Sequence, residues 1–262
     1  MPGSTASDRT VRTAGRVLAL VCLGLLAGLV CVRLPAQGQG EGAVVLRDDF
    51  SQGQLVESKW ERTRCNDFKT EAVDVVDGRL RLAASTVGTD DRTVKFHGVR
   101  SKEPVVDLSA RAEISFELDW NKQANGCYMT AGAYVCPVAA QNPREQRSWV
   151  RLLYLGVPPG RNARCQVSAK VAGQEKLLLT EGWPQQRTGR EIGLQRIQIT
   201  LSRESIVVLE NGTKILDASD LHLDFDRAYL YLQHSSHSNY RLREVFFDNV
   251  LVRNGATAKP HQ

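Results

Sequence analysis

The chain has 262 residues, 24% of them charged, and a formal net charge of +5. Four arginines and one aspartate fall in the first forty residues, so the remainder keeps only about +2. It shows no basic patch or stripe of the kind a nucleic-acid surface needs, which excludes nucleic acid as a partner.

Arg9, Arg12 and Arg16 precede the apolar run from Val17 to Val32, and small residues follow at Ala36 and Gly38. Positive, then apolar, then small is the order of a secretory signal peptide. Residues 1–40 are therefore expected to be a leader cut near Gly38, and the chain to be secreted, periplasmic or displayed at the cell surface. The run falls short of the about 20 apolar residues of a membrane helix. A membrane enters only if this segment is retained as an N-terminal anchor. Cys22 and Cys31 go with the leader. The remaining Cys65, Cys127, Cys136 and Cys165 form an even set in an exported chain, which predicts two disulfides in one of three pairings. No C-x-x-C pair supports a zinc site instead.

From Ala43 onward the dominant period is two. The stretch 73–85 predicts two short strands hinged at Asp77-Gly78, a dipeptide that supplies the positive φ of a tight hairpin. In 110–120, Ala112, Ile114, Phe116, Leu118 and Trp120 alternate with Glu113, Ser115, Glu117 and Asp119, which predicts a strand with one buried and one wet face. In 127–136, Met129, Ala131, Ala133 and Val135 form a core side, leaving Tyr128, Thr130, Gly132 and Tyr134 on the other. Residues 141–148 are polar and predict a surface loop. Strands follow over 149–155, over 194–202, and over 205–219 with a second hairpin at Asn211-Gly212. That turn already explains the formal glycosylation sequence Asn211-Gly212-Thr213. The final segment predicts a strand ending at Gln233, a polar connection, and a strand from Leu242. Many short strands without helices imply an all-β antiparallel sandwich. One domain over 41–254 with a tail at 255–262 accounts for the chain.

Four stretches carry a family resemblance: residues 44–63, residues 98–120, the hairpin Leu209 to Ile215, and the closing Val245 to Val252. They resemble the concanavalin A-like lectin/glucanase superfamily, whose fold is a jelly-roll β-sandwich. The last fifty residues are similar to the ending of domains assigned to 3-keto-disaccharide hydrolases. The resemblance implies a carbohydrate ligand, bound or cleaved.

Three groups of residues are candidates for that work. Glu113 and Glu117 share a strand face at a spacing that suits paired carboxylates in glycoside cleavage, and the stretch resembles the E-x-D-x-E signature of jelly-roll glucanases with Ser115 in place of the central aspartate. The alternative is a solvated face with cross-strand cations. Tyr128, Tyr134, Trp149, Arg151, Tyr231 and Gln233, with His237 at the rim, offer aromatic rings beside hydrogen-bonding groups, as a sugar site requires. The alternative is that these rings lie under loops or in cross-strand pairs. His234 is a third candidate acid or base, set against an ordinary position in a strand connection. The resemblance also implies a structural calcium where the first and last strands meet, with Asp49 and Asp248 as ligands; otherwise these residues cap turn amides. No other cofactor is expected. The preferred function is carbohydrate recognition without covalent chemistry, ahead of a glycoside-cleaving enzyme and a protein-interaction module.

Overall fold

The computed structural model describes residues 42–65, 68, 70–85, 95–119, 129–155, 164–182, 193–236 and 242–255. The expected leader, Tyr128, His237 and Cys127 lie outside the described residues. Among the described residues the chain forms sixteen strands: β1 Ala43–Asp48, β2 Trp60–Cys65, β3 Thr70–Val76, β4 Arg79–Ser85, β5 Lys95–Ser101, β6 Val106–Asp107, β7 Ala112–Asp119 and β8 Met129–Cys136, followed by β9 Trp149–Leu155, β10 Arg164–Val171, β11 Gln174–Gly182, β12 Leu194–Leu201, β13 Ser205–Glu210, β14 Thr213–Ser219, β15 Arg227–Ser236 and β16 Arg243–Asn254. They build two antiparallel sheets. The first runs β14-β13-β12-β7-β16-β4-β3, with β1 beside β16, and the second runs β11-β10-β9-β8-β15-β5-β2, with β6 beside β15.

The alternation in the sequence is what makes this a sandwich. Ile114, Phe116 and Leu118 of β7, Ile197 and Ile199 of β12, and Phe247 and Val252 of β16 point inward from the first sheet. They meet Ala133 and Val135 of β8, Leu152 of β9, Val167 of β10 and Leu230 and Leu232 of β15 from the second. Both expected hairpins form, with positive φ at Asp77 and Gly78 and again at Asn211 and Gly212. They join β3 to β4 and β13 to β14. In β16 the inward side chains change phase, since Val245 and Phe247 are buried and so are Val250 and Val252. A strand can do this only by inserting a residue, and the register of β16 against β7 shifts between Asp248 and Leu251, around Asn249, where φ is 50°. The bulge lets one strand serve β4 with its first half and β1 with its second.

One buried carboxylate ties β1 to β2. Asp48 accepts from the Phe50 backbone N–H at 3.1 Å and from Trp60 Nε1 at 2.7 Å, while the Lys59 ammonium lies 3.6 Å away. Removing the acceptor strands an indole N–H in the core. Asp48→Ala is therefore expected to lower stability by about 2–4 kcal/mol, the scale of an orphaned buried donor plus a lost charge-assisted bond, as read by urea unfolding.

Two expectations need correcting. The strand that was to end at Gln233 continues as β15 to Ser236, so His234 lies in the sandwich interior and not in a connection. The expected pair of disulfides does not form, because Cys65 and Cys136 are free thiols. The reason is placement: Cys136 packs with Tyr134, Trp149, Leu153 and Tyr231 on the outer side of the second sheet, while Cys165 belongs to the core cluster on its inner side. Cysteine side chains on opposite faces of one sheet cannot approach each other to bonding distance.

Candidate functional site

The residues singled out for sugar binding do converge, on the outer face of the second sheet. Cross-strand pairing places Glu61 of β2, Arg100 of β5, Tyr231 of β15, Tyr134 of β8, Arg151 of β9 and Ser168 of β10 in one row. The next same-face row reads Thr63, Gly98, Gln233, Gly132 and Leu153. The two glycines on either side of Gln233 are required. A Cβ on Gly98 would sit 2.0 Å from Leu232 O, and one on Gly132 would sit 2.0 Å from Leu152 O. In both places the neighbouring strand's carbonyl occupies the side-chain position.

The arginines are held against aromatic rings. The Arg100 guanidinium carbon lies 4.9 Å from the Tyr229 ring centroid, and that of Arg151 lies 4.7 Å from Trp149. Each also reaches one carboxylate at an edge of the sheet: Arg100 pairs with Glu61, and Arg151 Nη2 donates to Glu175 at 2.7 Å. Several buried polar atoms on this face have no partner, namely Arg100 Nε and Nη1, Arg151 Nε, Gln233 Nε2, Thr63 Oγ1 and Ser168 Oγ. Each such orphan costs about 1–3 kcal/mol relative to a bonded one.

The face is not open. Residues 137–148 fold back across it, with Pro143–Glu145 forming a single 3-10 turn. The Tyr231 hydroxyl accepts from Ala140 N at 2.9 Å and donates to Val138 O. Trp149 Nε1 donates to Arg144 O at 3.2 Å, and Gln141 Oε1 accepts from Arg64 N at 2.9 Å. Tyr134, Tyr231 and Trp149 thus face outward from the sandwich, as their alternation predicted, yet are buried by the chain's own loop. Burial pushes the Tyr231 phenol up to about 12 and raises Tyr134 as well. Arg151, Tyr229, Gln166 and Lys170 remain partly exposed at the flanks.

The candidate carboxylates lie elsewhere. Glu113 and Glu117 stand on the outer face of the first sheet, where Glu113 is opposite Thr200 and Arg253, and Glu117 accepts from Arg196 Nε at 3.0 Å. Asp119 on the same face pairs with Arg79 at 3.2 Å. Cross-strand arginines pair with Glu117 and Asp119, and the second sheet's aromatic face is on the other side of the core.

No family model matches the chain, and no curated relative is similar to it in sequence. Its architecture is shared with solved structures. The Trypanosoma cruzi calreticulin globular domain superposes with a TM-score of 0.57 at 11% identity, covering 81% of this chain and 88% of that one. A Clostridium perfringens endo-β-galactosidase that releases GlcNAcα1-4Gal gives 0.62 at 9% identity, over 85% of this chain and 65% of that one. The laminarinase catalytic domain of Thermotoga maritima gives 0.58 at 11%, over 82% and 98%. The fold is the concanavalin A-like jelly roll.

Inside this jelly roll sits a polar pair that the sequence did not single out as a pair. His97 of β5 and His234 of β15 face each other across the strands, with His97 Nε2 3.0 Å from His234 Nδ1. One ring nitrogen donates and the other accepts, so at least one imidazole is neutral, and burial keeps both uncharged near neutral pH. Burial lowers the His234 pKa to about 3 and drives that of His97 well below its ordinary value, with the facing ring and Arg64 adding to it. Phe68 packs on His97 at 4.9 Å between centroids. His97 Nδ1 and His234 Nε2 are orphaned, and both rings are buried, so His234 stands in the interior of the sandwich and not at an exposed rim. Asp49 and Asp248 meet at the junction of the first and last strands, but Asp49 accepts from the Ser51 N–H and hydroxyl, and Asp248 from Asn249 N at 2.7 Å. Desolvation raises the Asp248 pKa, with Glu117 and Asp49 contributing. Among the described residues no three His, Cys, Asp or Glu side chains converge as a metal set.

Proposed function

We propose that this jelly roll is an exported carbohydrate-recognition module that binds a glycan on the outer face of the second sheet and performs no hydrolysis. The observation that carries the reading is the composition of that face. It joins aromatic rings and hydrogen-bond donors, Tyr229, Tyr134, Tyr231, Trp149, Arg100, Arg151 and Gln233, which suit a ring that stacks on one side and presents hydroxyls on its edges. The carboxylates that the sheet's own strands place on it are Glu61 and Glu175, on strands at opposite edges of the sheet. Six inter-strand steps of about 4.8 Å separate them by roughly 29 Å. Cleavage of a glycosidic bond uses two carboxyl groups about 5–9.5 Å apart. The nearer pair, Glu113 and Glu117, is on the wrong sheet for these aromatics. Export is supported by the order of charges, apolar run and small residues at the N-terminus.

The test is a glycan-array and hydrolysis screen of the full-length chain beside Arg151→Ala and Glu113→Gln. Binding without product release is expected, weakened roughly tenfold in Arg151→Ala by loss of a charge-assisted donor and its stacked ring, and unchanged in Glu113→Gln. Sugar released by the wild type and abolished in Glu113→Gln would make the protein a glycosidase.

A further inference from the structure

We infer that residues 137–148 are a strap closed over a face that takes an anionic sugar, a uronate or a sulfated residue, and that the ligand displaces the strap; this rests on the carbohydrate reading above. The strap is lightly held. Of its residues only Pro143 and Ser148 are buried, and Val138 is 46% exposed, so little apolar surface secures it. Segments with few buried apolar contacts open at low free energy. Its grip on the sheet is a short set of polar contacts, centred on the Tyr231 hydroxyl, with the Trp149 indole and the Arg64 N–H to either side. The C-terminal end of the strap is anchored separately, by Ser148 Oγ on Asp224 at 2.9 Å and by Gly173 N on Arg147 O at 2.7 Å. The strap can therefore lift from the middle while its C-terminal end stays fixed.

What it leaves unsatisfied defines the ligand. The nitrogen atoms without partners on this face are Arg100 Nε and Nη1, Arg151 Nε and Gln233 Nε2, all of them donors and three of them on cations. The side chain of Arg100 is 7% exposed, and Gln233 is 5% exposed. Tyr231, the strap's central anchor, lies in the row between the two arginines. Each arginine is balanced by a single glutamate whose own side chain is 48% or 43% exposed, so the counter-charge is a group that swings into solvent freely. An acceptor-rich anion fits this donor surplus. A neutral sugar offers hydroxyls, whose bonds to a guanidinium lack the second charge and are weaker.

The experiment is a titration of the full-length chain with an oligogalacturonate, a dextran sulfate oligomer and a neutral laminarin oligomer at low ionic strength. At least one anionic ligand is expected to bind roughly tenfold more tightly than laminarin, the scale of one charge-assisted contact, and Arg100→Gln is expected to erase most of that difference. Which anionic arm binds tells carboxylate from sulfate. The strap is tested by Asn142→Cys, because Asn142 Nδ2 lies 3.5 Å from the free thiol of Cys65. Oxidation should bridge the strap to β2 and weaken anionic binding at least tenfold, with recovery in dithiothreitol. Tyr231→Phe gives a second reading that needs no bridge: it removes the central anchor and should tighten anionic binding severalfold. Laminarin bound as tightly as the anions, or a bridge and a Tyr231→Phe change that both leave anionic binding as it was, overturns the inference while the carbohydrate reading stands. No binding of any of the three sugars overturns both.

Discussion

Gly132→Ala and Gly98→Ala should each destabilise the protein by roughly 3–5 kcal/mol, among the largest single-residue effects this fold offers. A methyl group at either position would lie 2.0 Å from a carbonyl oxygen of the adjacent strand. That oxygen is backbone, held in a central ladder, so relief requires separating β5 from β15 or β8 from β9. Gly78 supplies the comparison. It sits in a hairpin with φ of +70° and nothing within 4 Å of where a methyl group would stand, so Gly78→Ala costs only the backbone strain of about 1 kcal/mol. Urea unfolding of the three variants should show the first two far below the third. Equal losses in all three would mean the strands yield and the close approach is not a constraint. Because both glycines flank Gln233, a milder loss in either variant should also be accompanied by weaker glycan binding.

Stability should fall steeply below neutral pH, and the buried histidine pair should account for most of the slope between pH 6.5 and 5. The sign follows from the direction of the shifts. His234 is held to about 3 and His97 well below its ordinary value in the folded chain. In the unfolded chain both titrate near 6.5, so there the unfolded state binds the protons and the folded state does not. The stabilisation is complete above about 6.5 and is lost as pH falls towards the folded values. His234 alone contributes a slope of about 1.4 kcal/mol per pH unit, so about 2 kcal/mol is lost by pH 5, and His97 adds to it in the same direction. Nearby charge works in the same direction, since Arg64 disfavours a second cation beside His97. Replacing both rings, as in His97→Leu with His234→Leu, should flatten the dependence over that window even if the variant is less stable at pH 7. A double variant with the same acid slope as wild type would place the sensitivity in the carboxylates. The clearest readout is urea midpoint against pH, compared between the two proteins.

The alternation of the chain and two turn dipeptides were enough to determine an all-β sandwich. A period of two commits every second residue to one side, and Asp77-Gly78 and Asn211-Gly212 supply positive φ without help from anything distant. They also determined that Tyr231 and Gln233 share one side of their strand and Trp149 and Arg151 one side of theirs, because side-chain parity within a strand survives whatever strand it pairs with; the pairing of β15, β8 and β9 then joined these sides to Tyr134 in one face. Tertiary structure decided the rest. Which strands neighbour one another placed Glu113 and Glu117 on the opposite sheet from the tyrosines, and put Cys136 and Cys165 on opposite faces, where no local pattern could have separated them. His234 belongs to the core because β15 continues past Gln233, and it is tolerated there because His97, 137 residues away in sequence, supplies the complementary nitrogen. Burying a polar residue costs less when a distant partner satisfies it, and that partner is invisible to periodicity. The strap is the same case. Residues 141–148 are polar enough to predict a loop, but only the fold shows that the loop returns over Tyr231 and covers the face on which a sugar would stack.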